Sequence, residues 1–149
     1  MIVPGRAHTV MPGEGSSVDL GVVTMRVLAG GDDTDQAFTL AEFSGSGEGA
    51  WTVPHVHREM EESFFVLDGQ FTFTVGDRAI EAASGTYILV PRGTAHTISA
   101  AQGGGSLLTL MVPGGLEKMF IELGKLPPNA IRDPAARAAI SARFDSIPV

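Results

Sequence analysis

Gly49-Ala50-Trp51-Thr52-Val53-Pro54-His55-Val56-His57-Arg58-Glu59-Met60-Glu61-Glu62 and, behind the turn Pro91-Arg92-Gly93, the run Thr94-Ala95-His96 contain three of the chain's four histidines. In an extended strand, residues two apart point to the same face, so His55 and His57 can aim two imidazoles into one cavity. The odd spacing from His57 to Glu62 forbids a shared face on one straight strand, so a turn or bulge is expected near Arg58 to Met60. Glu62 then offers a carboxylate from the next strand and His96 a third imidazole from a later one. Three neutral imidazoles and one carboxylate suit a divalent first-row transition metal.

The rest of the chain narrows the setting. At 149 residues it is long enough for one domain with a substantial core. Hydrophobic residues make up 44% and charged residues 18%, a soluble globular profile. No apolar run approaches the roughly 18 residues that span a bilayer, and Met1 to Gly15, broken by prolines and glycines, lacks the core of a secretion signal. The expectation is a cytoplasmic protein with no membrane partner. The absence of cysteine excludes disulfides, thiolate metal sites and a cysteine nucleophile. With a net charge of -7 and its Lys and Arg residues scattered singly, the chain has no basic face for nucleic acid.

Glycine and proline cut the chain into short segments rich in Val, Ile, Phe and Thr. Strands are expected over Val18 to Ala29, Gln36 to Phe43, Trp51 to His57, Glu62 to Leu67, Gln70 to Val75, Ala79 to Ala82, Tyr87 to Val90, Ala95 to Ile98 and Leu107 to Val112. Asp68-Gly69 reads as a hairpin turn, and the glycine-rich Gln102 to Ser106 as a loop tip. Regular strands joined by turns imply an all-β sandwich or barrel. The period changes near the end: Leu116, Met119, Phe120 and Leu123 predict a helix over Gly115 to Gly124. Pro134 opens a second helix, Ala135 to Arg143.

These residues resemble the cupin family. Its first motif, G-x5-H-x-H-x4-E-x6-G, is met by Gly49, His55, His57, Glu62 and Gly69. Its second, G-x5-P-x-G-x2-H-x3-N, is met by Gly85, Pro91, Gly93 and His96, with Ala100 in the last place. Nine of ten defined positions agree. The fifteen residues between the motifs, Gln70 to Ser84, match the short spacer of small microbial cupins. The stretch Glu61 to Gly69 and the helical tail are similar to single-domain cupins of the quercetin-dioxygenase-like kind.

The resemblance implies a double-stranded β-helix, the cupin jelly-roll barrel, with a short C-terminal helical tail. It implies a single domain over 1–149, its barrel core at about 18–112 and its helical segment at about 115–145. One divalent metal ion (Fe, Ni, Mn, Co, Cu or Zn) would be held by His55, His57, Glu62 and His96, against the alternative of a barrel that has lost its metal. Glu62 would also be the catalytic base. The implied activity is that of a dioxygenase on a hydroxylated aromatic or enolisable small molecule. The alternatives are a metal-dependent isomerase, cyclase, decarboxylase or lyase, and a non-enzymatic binding barrel. A homodimer built with the N-terminal strands is expected by the same analogy. Trp51, Phe64 and Phe73 are the candidate pocket walls, Trp51 because it shares the parity of His55 and His57; core packing competes with that role for each, as for Phe71 and Tyr87. Glu59 and Glu61 read as solvated or supporting groups, although a slipped register would make Glu61 the ligand. His8 reads as an ordinary arm residue. Arg58 and Arg92 fall in expected turns, and two or more arginines inside the cavity would point instead to an anionic substrate.

Overall fold

The computed structural model describes residues 1–149. Its strands are β1 Ser16–Asp19, β2 Thr24–Ala29, β3 Thr39–Gly45, β4 Gly49–Ala50, β5 His55–Val56, β6 Glu61–Val75, β7 Arg78–Ala83, β8 Tyr87–Val90, β9 His96–Val112 and β10 Ile147–Pro148. The helices are α1 Glu117–Gly124 and α2 Pro134–Ser141.

Two long strands organise the molecule. β6 and β9 pair antiparallel along nearly their whole length, from Glu61 opposite Val112 to Val75 opposite His96. Their first arm, 61–69 with 105–112, lies in a sheet ordered β1-β2-β3-β9-β6-β8. Their second arm, 71–75 with 96–100, lies in a sheet ordered β10-β5-β9-β6-β7, with β4 also on β9. Every pairing is antiparallel. The two sheets pack face to face as a jelly roll.

The ribbon bends between the arms at glycines. Gly105 stands opposite both Gly45 and Gly69, and the pairing of β6 with β9 shifts register on each side of Gly69. A side chain on Gly69 would strike the Gly104 carbonyl, and Gly69 has φ +86° besides. Three backbones therefore cross where no Cβ fits. This overturns two expectations. Asp68-Gly69 is not a hairpin turn but a bend inside one strand, and Gln102 to Ser106 is strand rather than loop tip. In both, glycine marks a close approach of backbones, which a local reading confuses with a turn.

Val18 to Ala29 is also not one strand. It turns back on itself through Gly21, at φ +88°, to make the β1–β2 hairpin. Trp51 to His57 is likewise broken: the chain leaves β4, turns through Trp51 to Pro54 and re-enters as β5. That turn is pinned to β9, since Thr52 Oγ1 accepts from Ile98 N at 2.9 Å and the Thr52 carbonyl accepts from Thr97 Oγ1 at 2.8 Å.

The core fills the space between the sheets, with Phe71, Phe73, Met25, Leu107, Met111 and Val66 fully buried. Helix α1 covers one side through its apolar stripe, Phe120 meeting Phe43 edge-on at 5.1 Å. The buried Glu117 fastens this helix to the barrel by accepting from Gly31 N at 2.7 Å, Thr39 Oγ1 at 2.6 Å and Gly115 N at 3.0 Å. Helix α2 starts at Asp133, whose side chain caps Ala135 N, with Pro134 in the first turn. No helix is long and apolar enough to cross a membrane.

Candidate metal centre

The bend at the glycines folds the two arms of the β6–β9 ribbon over each other, and their far ends meet. Glu62, at the start of β6, reaches His96, at the start of β9, with Oε2 3.3 Å from Nε2. The same carboxylate oxygen lies 3.0 Å from His57 Nε2. His55 pairs with His96 across the strands, their rings 4.2 Å apart. The ligand atoms of His55, His57, Glu62 and His96 all lie within 4.8 Å of one another. His57, Glu62 and His96 are buried, and His55 is half-buried.

Each imidazole is turned the same way. Nδ1 of His55 faces the Val53 carbonyl at 2.7 Å, that of His57 the Asp145 carbonyl at 2.5 Å, and that of His96 the Thr94 carbonyl at 3.0 Å. A carbonyl only accepts, so each Nδ1 carries the proton and each neutral ring presents a bare Nε2 lone pair to the centre. Three lone pairs then converge on a carboxylate, an arrangement that repels itself unless a cation enters. The donor set, its burial and its tautomers therefore fit a divalent transition metal.

Without a metal, protons do that work. Burial opposes the charge of Glu62, but the hydrogen bonds from His57 and His96 together outweigh it and hold the carboxyl at about 2. Burial likewise opposes the charge of His57, yet the hydrogen bond and charge of Glu62 raise its pKa above the ordinary 6.5. His55 goes the other way: burial first, then the charge of His96, press it to about 4. It stays neutral and ready to ligate at any ordinary pH.

The C-terminal residues complete the support. β10 pairs with β5, Pro148 opposite His55 and Ile147 opposite Val56. The Asp145 carboxylate accepts from the backbone N–H of Arg58 at 2.7 Å, Glu59 at 2.9 Å and Met60 at 3.0 Å. This is the turn expected between His57 and Glu62, and it reverses the chain so that both face inward. The turn through Gly93 closes from the other side, Gly93 N donating to the His57 carbonyl at 2.6 Å. Asp145 lies 85 to 88 residues from the groups it touches. No local pattern announces such a contact.

A cavity of about 580 Å³ opens from the centre between the sheets. His55, His57 and Glu62 line it, with Trp51, Phe43, Phe64, Leu107 and Phe120 among its walls. Trp51 reaches it although the parity that suggested so does not hold, because the strand is broken there; its ring instead stacks edge-on against Phe71 at 4.9 Å. Phe73 does not reach the cavity. It is fully buried behind Phe64, 5.1 Å from that ring, so it supports the wall without forming it. Thr109 Oγ1, also on the lining, is buried without a hydrogen-bond partner in the protein.

Glu61 points outward and pairs with Arg92, Nη2 to Oε1 at 2.5 Å, which settles the register in favour of Glu62. Arg58 is exposed. His8 sits in the arm against the Leu28 carbonyl at 2.7 Å. The arginines on the cavity come from elsewhere: Arg132 and Arg137, before and within α2.

Comparison with known proteins agrees with this architecture. The cupin domain model matches residues 45–113. Quercetin 2,3-dioxygenase of Bacillus subtilis is 28% identical over 134 residues, which cover 90% of this chain and 40% of that protein. This chain thus spans less than half the length of that relative. Among solved structures, KdgF from Halomonas sp. superposes with a TM-score of 0.67 at 15% identity, covering 76% of this chain and 99% of that one. The polyketide cyclase RemF from Streptomyces resistomycificus superposes with a TM-score of 0.54 at 30% identity, covering 68% of this chain and 69% of that one. The chain belongs to the cupin superfamily. Within it, it resembles the quercetin-dioxygenase-like members.

Proposed function

We propose that the protein is a metal-dependent dioxygenase acting on a hydroxylated aromatic or enolisable small molecule. The observation that carries this reading is the inward-facing set His55, His57, Glu62 and His96, the first three of which line a largely apolar cavity. Similarity to quercetin 2,3-dioxygenase supports the oxygen chemistry. His55, His57, Glu62 and His96 would hold a divalent metal such as Fe, Ni, Mn, Co, Cu or Zn, which would supply a Lewis acid there. The imidazoles, held by backbone carbonyls, keep their Nε2 atoms aimed without rearrangement. Trp51, Phe43 and Phe64 orient a ring and keep water from it. Glu62 is the catalytic base: Oε2 faces the histidines, while Oε1 has no hydrogen-bond partner in the protein and takes the substrate's hydroxyl proton.

A second reading, a metal-dependent cyclase, isomerase, decarboxylase or lyase that needs no dioxygen, is supported by the 30% identity to RemF. Turnover of a flavonol by the metal-loaded protein, with oxygen uptake followed, separates the two. We expect turnover that ceases under anaerobic conditions. Equal turnover without oxygen would favour the second reading. Tight binding with no turnover would favour a binding barrel.

We propose further that the protein is a cytoplasmic homodimer. The outer face of the first sheet supports the dimer, because Phe65, Leu67, Tyr87, Leu89, Leu110 and Val112 are exposed there on adjacent strands. Light scattering should give the mass of two chains, and Tyr87→Glu with Leu89→Glu the mass of one. A wild-type monomer at tens of micromolar would sink the dimer, and cell fractionation checks the compartment.

A further inference from the structure

The cavity lining brings together two chemically different groups: His55, His57 and Glu62 of the metal centre, and Arg132 and Arg137, which lie before and within α2. Glu62 is the sole acidic side chain among the lining residues, and its Oε2 is committed to His57 and His96. Neither arginine has an acidic partner within salt-bridge distance.

Arg137 stands out further. Of the chain's lysines and arginines only Arg26 and Arg137 are partly buried, and Arg26 is paired with Glu42. Arg137 instead donates one hydrogen bond, Nη1 to the Ile131 carbonyl at 2.8 Å, which fixes the guanidinium while its remaining N–H groups have no partner in the protein. Its burial, uncompensated by a carboxylate, lowers its pKa from the ordinary value while leaving it a cation. Arg132 packs over Gly21, the turn of the β1–β2 hairpin, and is exposed at the rim. A planar fork, partly desolvated, anchored at one nitrogen and lining an apolar cavity, is built to receive a carboxylate.

We propose that the substrate is an aromatic or enolic acid that carries an anionic group, of the carboxylate class, at the end remote from its reacting hydroxyl, and that Arg137 binds this group with Arg132 beside it. This rests on the metal-centre reading for the orientation of the hydroxyl end alone. The cavity volume of about 580 Å³ holds a molecule of two or three fused rings. The carboxylate would thus decide which way round such a molecule enters.

The test is the affinity of the metal-loaded protein for 6-hydroxy-2-naphthoate and for its methyl ester, followed by naphthalene fluorescence. The two share ring, hydroxyl and nearly their shape, and differ in charge. We expect the acid to bind at least about tenfold more tightly, with an advantage that shrinks as salt rises. Arg137→Gln with Arg132→Gln should remove that advantage while leaving the ester unchanged; Arg132→Gln alone, at an exposed position, tests the rim without touching the Ile131 contact. Arg137→Lys should restore part of the preference. Equal affinity for acid and ester, failure of the acid to bind, or an equal loss of both in a folded double variant overturns the proposal. His57→Ala separates the two readings: it should weaken acid and ester alike through the hydroxyl and leave their ratio intact. A ratio that persists with no effect of His57→Ala would sink the metal centre and keep the anion site.

Discussion

His57→Ala is expected to leave the protein with less than about a tenth of the wild-type metal content after dialysis, measured by elemental analysis. The variant loses a buried donor whose Nδ1 is fixed by Asp145, and the drop in affinity should exceed the roughly 10- to 100-fold seen when only a supporting residue is removed. His96→Ala should behave alike, whereas His8→Ala, in the arm, should retain full metal. Unchanged metal content in the His57 or His96 variant would show the assignment to be wrong.

Chelating the wild-type metal should uncover a particular pH dependence. His57, raised above 6.5, contributes stability that is complete below that value and lost as pH rises through its folded pKa. Glu62, held at about 2 rather than 4.5, contributes stability that is complete above 4.5 and lost as pH falls toward 2. His55, pressed to about 4, acts against the fold in acid, because between 6.5 and 4 the unfolded chain takes a proton that the folded chain refuses. The metal-free protein should therefore melt highest near pH 6.5. The loaded protein, in which protons compete with metal for the imidazoles, should instead gain stability from about pH 6 to about pH 8. A metal-free optimum above about pH 8 would contradict the arrangement of protons inferred for the centre.

Asp145→Ala should have the second large effect. Its carboxylate accepts from three consecutive backbone N–H groups, and its own carbonyl holds His57. Removing an anionic acceptor shared by partly exposed donors costs about 2–3 kcal/mol, or roughly 5–10 °C in melting temperature for a chain of this size. With the tail loosened, the carbonyl of residue 145 no longer fixes the His57 tautomer, and metal affinity should fall by about 10- to 100-fold. Asp145→Asn, which keeps one acceptor oxygen, should fall between. Wild-type melting and metal affinity in Asp145→Ala would show that the tail merely lies against the site.

What sequence alone reveals here follows the range of each interaction. His55, His57, Glu62 and the turn between them are set by spacing within eight residues, and that spacing is legible. His96 is distant, yet the turn at Pro91 and Gly93 marks its place. The bend through Gly69 and Gly105 is not legible, because a glycine demanded by a crossing backbone looks like a glycine demanded by a turn. Phe73 lies behind the cavity wall for a related reason: Phe64 and Phe73 both belong to β6, but they lie on opposite sides of the bend. Asp145, Arg132 and Arg137 come from the segment whose position depends on docking against the finished barrel. Their residue types carry no spacing signal, and only the packed structure brings them to the cavity.

The folded ribbon has a consequence for chain entropy. Glu62 and His96 belong to opposite sheets and stand 34 residues apart in sequence. A metal ion held between them would act as a cross-link closing that loop, at the end of the sandwich farthest from its glycine bend. If the tie held in the unfolded chain as a covalent one does, restricting a loop of that length would be worth about 4 kcal/mol. A protein with no cysteine has no disulfide to close its open end, and a coordinated ion would supply a removable equivalent, undone by a chelator or by acid rather than by a reductant.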